Sequence, residues 1–142
     1  MFKKHITYSE KRDRKAVDLE IELQQVASKH GFTPLIHETI FTDTHCIVTM
    51  DKIDNMCLAD MYGDKPSDLP PHLWSKIRTI VDKLYKEEGI EYVDITPYNF
   101  IEVDGKIFII DFGDAYYTGT RKRNWFHKDF LEGHNGWNPD FA

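Results

Sequence analysis

Asp94, Asn99 and Asp111 are the residues of this chain whose types and spacing could do chemistry. They sit in Asp94-Ile95-Thr96-Pro97-Tyr98-Asn99 and, further on, in Ile109-Ile110-Asp111-Phe112-Gly113. An acid, an amide five positions later and a second acid twelve beyond that form the ordered set a nucleotide-dependent phosphoryl-transfer site needs. One Asp orients or deprotonates a hydroxyl, while an Asn and an Asp share the magnesium on the phosphates. Magnesium takes few protein oxygens and completes its shell with phosphate and water, so one carboxylate and one neutral amide hold it without overbinding.

These residues need elements to bring them together. Phe100 to Val103 and Lys106 to Ile110 read as a hairpin across Asp104-Gly105, a strong two-residue turn signal. A turn there pairs 103 with 106, 101 with 108 and 99 with 110. Asn99 and Asp111 therefore lie at one open end of the hairpin. Asp94 enters that end from a short strand over Ile90 to Val93. An ideal ladder points Asn99 and Asp111 to opposite faces, so convergence requires the strand to break at Phe112-Gly113, which glycine permits.

Upstream, Phe2 to Thr7 reads as a strand. Asp18 to His30 reads as a helix stopped by Gly31, and Leu35 to Phe41 and His45 to Met50 as two further strands. Asp51 to Asn55 is a polar connector and Asp64 to Pro71 a loop. The clearest helix is His72 to Glu88, where Leu73, Ile77, Ile80, Val81 and Leu84 follow the 3.6 period and Gly89 ends it. Near the C-terminus we expect a short helix at Trp125 to Leu131 and an irregular tail docked by its aromatics. Tyr116 to Thr120, beside Arg121-Lys122-Arg123, reads as an exposed loop. The fold class is α+β.

The 142 residues suffice for one domain with a real core. Apolar runs are too short to span a bilayer, and the N-terminus lacks the apolar region of a secretory leader. Two cysteines, Cys46 and Cys57, make no disulfide framework and are expected as reduced thiols in the cytoplasm. A net charge of −6 argues against a general nucleic-acid coat. Two basic patches interrupt it: Lys3, Lys4, Lys11, Arg12, Arg14 and Lys15 against Glu10 and Asp13, and Arg121-Lys122-Arg123. Either meets phosphates or is solvated surface. His127, Asp129 and His134 lack a zinc-site spacing.

The motifs resemble the catalytic half of a protein-kinase-like fold, most closely the atypical RIO-type kinases and the small kinase of the KEOPS complex. Tyr92-Val93-Asp94 stands where the family has His-Arg-Asp, Asn99 at the metal-binding Asn, and Asp111-Phe112-Gly113 at the DFG motif. Thr96, two positions after the catalytic Asp, and the Tyr98-Asn99 pair are RIO-like. The resemblance implies ATP and magnesium as cofactors. It makes Asp94 catalytic, Asn99 and Asp111 metal-binding, and Thr96 a residue lining the γ-phosphate region. Lys4 resembles the phosphate-binding Lys and Glu20 its helix partner, with Lys3 and Glu22 the neighbouring alternatives. Met50 resembles the gatekeeper, and the backbone of Asp51 to Ile53 the adenine edge. The implied division is a reduced N-lobe over 1–50, a hinge over 51–55 and a reduced C-lobe over 56–142.

The sequence departs from the family pattern in lacking the Gly-rich loop and its two strands, the APE motif and the helical subdomain that holds peptides. Replacement of the catalytic-loop His and Arg by Tyr92 and Val93 argues against control by a phosphorylated activation loop. The preferred expectation is an ATP-dependent phosphotransferase or ATPase. The alternative is a pseudokinase that docks a protein partner completing the missing lobe. A phosphotransferase for a small molecule or an RNA-associated target ranks third.

Overall fold

The computed structural model describes residues 1–141. Strand β1 (Phe2–Thr7) leads to helix α1 (Arg14–Lys29), then β2 (Ile36–Phe41) and β3 (His45–Met50). A short helix α2 (Leu58–Tyr62) and a 3-10 turn (Pro66–Asp68) precede the long helix α3 (Pro71–Glu88). Strands β4 (Ile90–Glu91), β5 (Phe100–Val103), β6 (Lys106–Ile109) and β7 (Tyr116–Tyr117) and helix α4 (Trp125–Leu131) complete the chain. The α+β class expected from the sequence is what the molecule shows. No helix among the described residues is long and apolar enough to cross a membrane.

Three small antiparallel sheets carry the strands: β1-β3-β2, β4-β7 and β5-β6. The hairpin register is the expected one, with Val103 opposite Lys106 and Ile101 opposite Phe108. Its turn holds Asp104 at φ 50 and Gly105 at φ 79, the double left-handed conformation a two-residue turn demands. The ladder continues past β5 through a bond from Ile110 N–H to the Asn99 carbonyl.

Apolar residues gather in two clusters. Ile6, Val17, Ile21, Cys46, Val48 and Met50 sit between the three-stranded sheet and one part of α1. The larger cluster is built on α3, through Leu73, Trp74, Ile77, Ile80, Val81 and Leu84, and takes in Tyr92, Ile95, Phe100, Ile109 and Phe112. Leu23 and Ala27 of α1 belong to this second cluster, so one helix is anchored in both. Phe126, Phe130 and Trp137 pack there too, which docks the tail by its aromatics.

The structure differs from the sequence reading in local places. Helix α1 begins at Arg14 rather than Asp18, because the Asp13 side chain accepts from Ala16 N–H at 2.9 Å and caps it. The strand expected over Ile90 to Val93 is only two residues long. It pairs with Tyr116–Tyr117, in a segment expected to be an exposed loop. Tyr116 is buried, and the Thr118 hydroxyl donates to Glu91 at 2.8 Å. A pair of two-residue strands has too little local pattern to be read ahead of its partner. Cys57, which reads from the sequence as a helix start, is the N-cap of helix α2.

Candidate functional site

A cleft of about 560 Å3 opens between the three-stranded sheet and the β5-β6 hairpin. Lys4, Met50, Asp51, Ile53, Asn99 and Asp111 all line it, with Phe2, Tyr98, Ile101 and Ile110. One end is apolar. There β3 delivers Met50, and the chain runs out past Asp51, whose N–H donates to the Leu35 carbonyl at 3.0 Å. Beyond it, Lys52 and Ile53 make no backbone hydrogen bond among the described residues, leaving their donors and acceptors free along the cleft edge. Met50 is held from behind by Gln24, whose amide donates to the Pro34 carbonyl and touches the Met50 sulfur at 3.5 Å.

The other end is charged. Lys4 shares one face of β1 with Ile6, and its Nζ donates to Glu20 Oε2 at 2.6 Å and stands 3.6 Å from Asp111 Oδ1. Glu20 lies on the buried stripe of α1 with Val17, Ile21 and Gln24, and is 3% exposed. A carboxylate taken so far from water needs charge partners. Glu20 has a second cation, because the Arg12 guanidinium abuts its Oε1. The alternatives are placed elsewhere: Lys3 is exposed, and Glu22 accepts from the Tyr117 hydroxyl at 2.6 Å.

Arg12 is a residue that sequence reasoning missed. Its Nη1 donates to the Gly113 carbonyl at 2.7 Å, joining the β1–α1 loop to a turn 101 positions away. A Cβ on Gly113 would stand 2.8 Å from that Nη1 and 3.1 Å from Asp111 Oδ1. A side chain at this position would push the end of the Arg12 side chain out of its place beside the turn. Gly113 N–H closes the same turn on Asp111 Oδ1 at 2.8 Å. Within the basic run Lys11 to Lys15, the only sequence signal for Arg12 was charge, which reads as surface.

Tyr92 acts on the other side of that turn. It is fully buried, donates from its hydroxyl to the Asp111 carbonyl at 2.5 Å, and packs edge-on against Phe112 with ring centres 5.3 Å apart. Burial, then the carboxylates of Asp94, Asp111 and Asp114, pushes its phenol well above the ordinary tyrosine range. Tyr92 thus stays a neutral donor.

Asp94 is the apex of a tight loop between buried Val93 and Ile95. Ile95 N–H donates to the Val93 carbonyl at 2.8 Å and Thr96 N–H to the Asp94 carbonyl at 3.1 Å. The Asn99 amide nitrogen donates to that same Asp94 carbonyl at 2.9 Å, fixing which way its oxygen faces. Asp94 and Asn99 are thus joined, and Asp94 also lies near Asp111 and Asp114. Its carboxyl is pushed up to about 6, chiefly by burial and then by Asp114 and Asp111, against a lowering hydrogen bond from Asn99. Asp94 itself does not line the cleft. Thr96 is 3% exposed and also lies outside the lining, its carbonyl accepting from Asn99 N–H at 3.3 Å.

Residues 3–131 match the model of the RIO domain. A comparison with curated proteins finds no match. The matched segment covers most of the chain and contains Lys4, Glu20, Asp94, Asn99 and Asp111, so the chain belongs to the RIO domain family of atypical, kinase-like, ATP-binding proteins.

Proposed function

We propose that the protein binds ATP with magnesium in this cleft and transfers the γ-phosphate to a hydroxyl, of a substrate or of water. The observation that carries the reading is Lys4, held by buried Glu20 and facing Asp111, at the mouth of a cleft that Asn99 also lines. The apolar end, with Met50, Ile53, Ile101 and Ile110, suits a base, and the free backbone groups of Lys52 and Ile53 suit its hydrogen-bonding edge. On this reading residues 1–50 are the small lobe, 51–55 the hinge and 56–142 the large lobe.

The donor set fits magnesium. The Asp111 side chain is 42% exposed on the cleft side. The Asn99 amide has its nitrogen committed to Asp94, which leaves its oxygen for a cation. No group of three His, Cys, Asp or Glu is placed to hold a metal among the described residues. Magnesium takes few protein oxygens and completes its shell with phosphate and water. Asn99 and Asp111 would hold it, and when bound it neutralises charge on the phosphate oxygens.

The chain's own groups do the rest. Lys4 neutralises phosphate charge without moving, because Glu20 fixes its ammonium. Asp94 orients the attacking hydroxyl. As the oxygen–phosphorus bond forms and the bond to the leaving diphosphate breaks, the hydroxyl proton passes to the Asp94 carboxylate. A carboxyl near pH 6 is ionised at neutral pH and still basic enough for that role. Thr96 shapes the loop between Asp94 and Asn99.

The test is thermal unfolding with millimolar ATP and magnesium. Saturation about 100-fold above Kd is worth about 2.7 kcal/mol, several degrees in Tm. Asp111→Asn should abolish the shift, and absence of any shift in the wild type sinks the reading. Asp94→Ala should keep the shift and lower ADP production at least a hundredfold. Equal ADP rates for wild type and Asp94→Ala would instead make the protein a nucleotide-binding module.

A further inference from the structure

We propose that the C-terminal segment over residues 136–140 clamps the Asp94 loop, with Asn138 as its positioning residue. The inference rests on the reading that Asp94 acts on a hydroxyl. The carbonyls on both sides of Asp94 are taken by this one residue. Asn138 Nδ2 donates to the Val93 carbonyl at 2.8 Å, and Asn138 N–H donates to the Ile95 carbonyl at 2.8 Å. The Asp94 carbonyl between them is held by Asn99 and Thr96. All three carbonyls at the turn are therefore fixed, two of them from a segment that lies past the RIO-domain match.

Asn138 is fully buried and cannot turn over. Its Oδ1 accepts from Asp140 N–H at 3.1 Å. A flipped amide would set oxygen against the Val93 carbonyl and nitrogen against the Asp140 N–H. Asparagine is thus specified at this position. Helix α3 holds the segment in place from two points. Trp137 packs on Trp74 with ring centres 4.4 Å apart. Arg78 donates to the Phe130 carbonyl at 2.7 Å, the His134 carbonyl at 3.2 Å and Asn135 Oδ1 at 2.5 Å. The core helix, the tail and the Asp94 backbone form one connected unit. A loop released from it lets Asp94 drift, and a misplacement of about 1 Å costs on the order of a hundredfold in rate.

Asn138→Ala removes the bond to Val93 and keeps the backbone bond to Ile95. Hydrogen exchange of a peptide covering 92–99, with kcat and KM for ATP, tests the proposal. Exchange of 92–99 should speed up at least tenfold while peptides from β1 and β3 keep wild-type rates. ADP turnover should fall at least tenfold, with KM for ATP within twofold. Unchanged exchange at 92–99, equal acceleration everywhere, or a loosened loop with unchanged kcat would each overturn it. If Asn138→Ala does not fold, Arg78→Gln takes its place: it frees the start of the tail from α3 and must loosen 92–99 just as selectively, or the clamp is wrong. A wild type with neither ATP stabilisation nor ADP production sinks the phosphotransfer reading, and exchange at 92–99 still decides the clamp.

Discussion

Glu20 sets the charge balance of the site. It is buried on a helix that faces two clusters, and Lys4 and Arg12 bring it two cations from the preceding strand and loop. Glu20→Gln keeps the shape and removes the charge. Both cations are roughly a quarter exposed and can rehydrate, so the expected loss is about 2 kcal/mol, below the full cost of stranding a buried charge. Urea unfolding measures it, and KM for ATP should rise at least tenfold because Lys4 is no longer held. A stability loss with KM unchanged would leave the pair structural. Asp94 gives a second prediction. Its carboxyl is raised to about 6, first by burial and then by neighbouring acids, and in the proposed mechanism the ionised form is the active one. kcat/KM should therefore rise with pH through about 6 and level off above it. Asp114→Asn removes a carboxylate that raises this value, so the inflection should move to lower pH. An inflection that stays put would mean that another group titrates.

At the scale of elements, β4, β7 and α4 meet on one buried ion cluster. Glu91 is fully buried. Burial raises its carboxyl, but the Asn124 N–H, the Thr118 hydroxyl, Arg123 and His127 outweigh that and hold it below the usual range. Arg123 also donates to His127 Nδ1 at 2.7 Å, and His127 Nε2 has no partner among the described residues. Burial, then the Arg123 guanidinium, pushes His127 from 6.5 down to about 4 against the pull of Glu91 and Asp82. Between those values the unfolded chain binds a proton that the folded one refuses. Stability from this site is complete above about 6.5 and drains as pH falls toward 4, with about 2 kcal/mol lost by pH 5. His127→Gln should flatten the fall in unfolding free energy between pH 7 and pH 5, and an unchanged slope would assign the acid sensitivity elsewhere. None of this cluster was legible in the sequence. Tyr116 to Thr120 looked like an exposed loop because two-residue strands have no period, and Arg123 sat in a run of three basic residues that reads as surface meeting solvent or phosphates. The elements with a full period were legible: α3 by its apolar stripe, and the β5-β6 hairpin by Asp104-Gly105.

For the whole molecule, the cleft lies where two unequal cores face each other. Among the described residues the sheet rests on six buried apolar side chains and the α3 side on twenty-one, so the sheet should open first. Native-state hydrogen exchange should find β1 and β3 faster than α3. Saturating ATP with magnesium should slow the sheet more than α3, because the ligand bridges the two sides. Ile77→Ala, in the larger core, should cost about 3 kcal/mol and leave that order of exchange intact. A sheet that exchanges as slowly as α3 without nucleotide would show one cooperative unit and defeat the prediction.

Short-range chemistry settles the hairpin, its register, the long helix, and the order Asp94, Asn99, Asp111 that points to the RIO domain family. Those follow from periodicity and turn chemistry, which act within a few residues of each other. It takes the packed chain to show which lysine meets which glutamate, that Arg12 joins Glu20 to Gly113, that Tyr92 holds the Asp111 carbonyl, and that Asn138 grips the carbonyls on either side of Asp94. Those contacts reach across as many as 101 positions, made by single polar side chains whose local sequence looks like ordinary surface or turn. They become visible once burial takes each of them from water and leaves the protein to supply its partners.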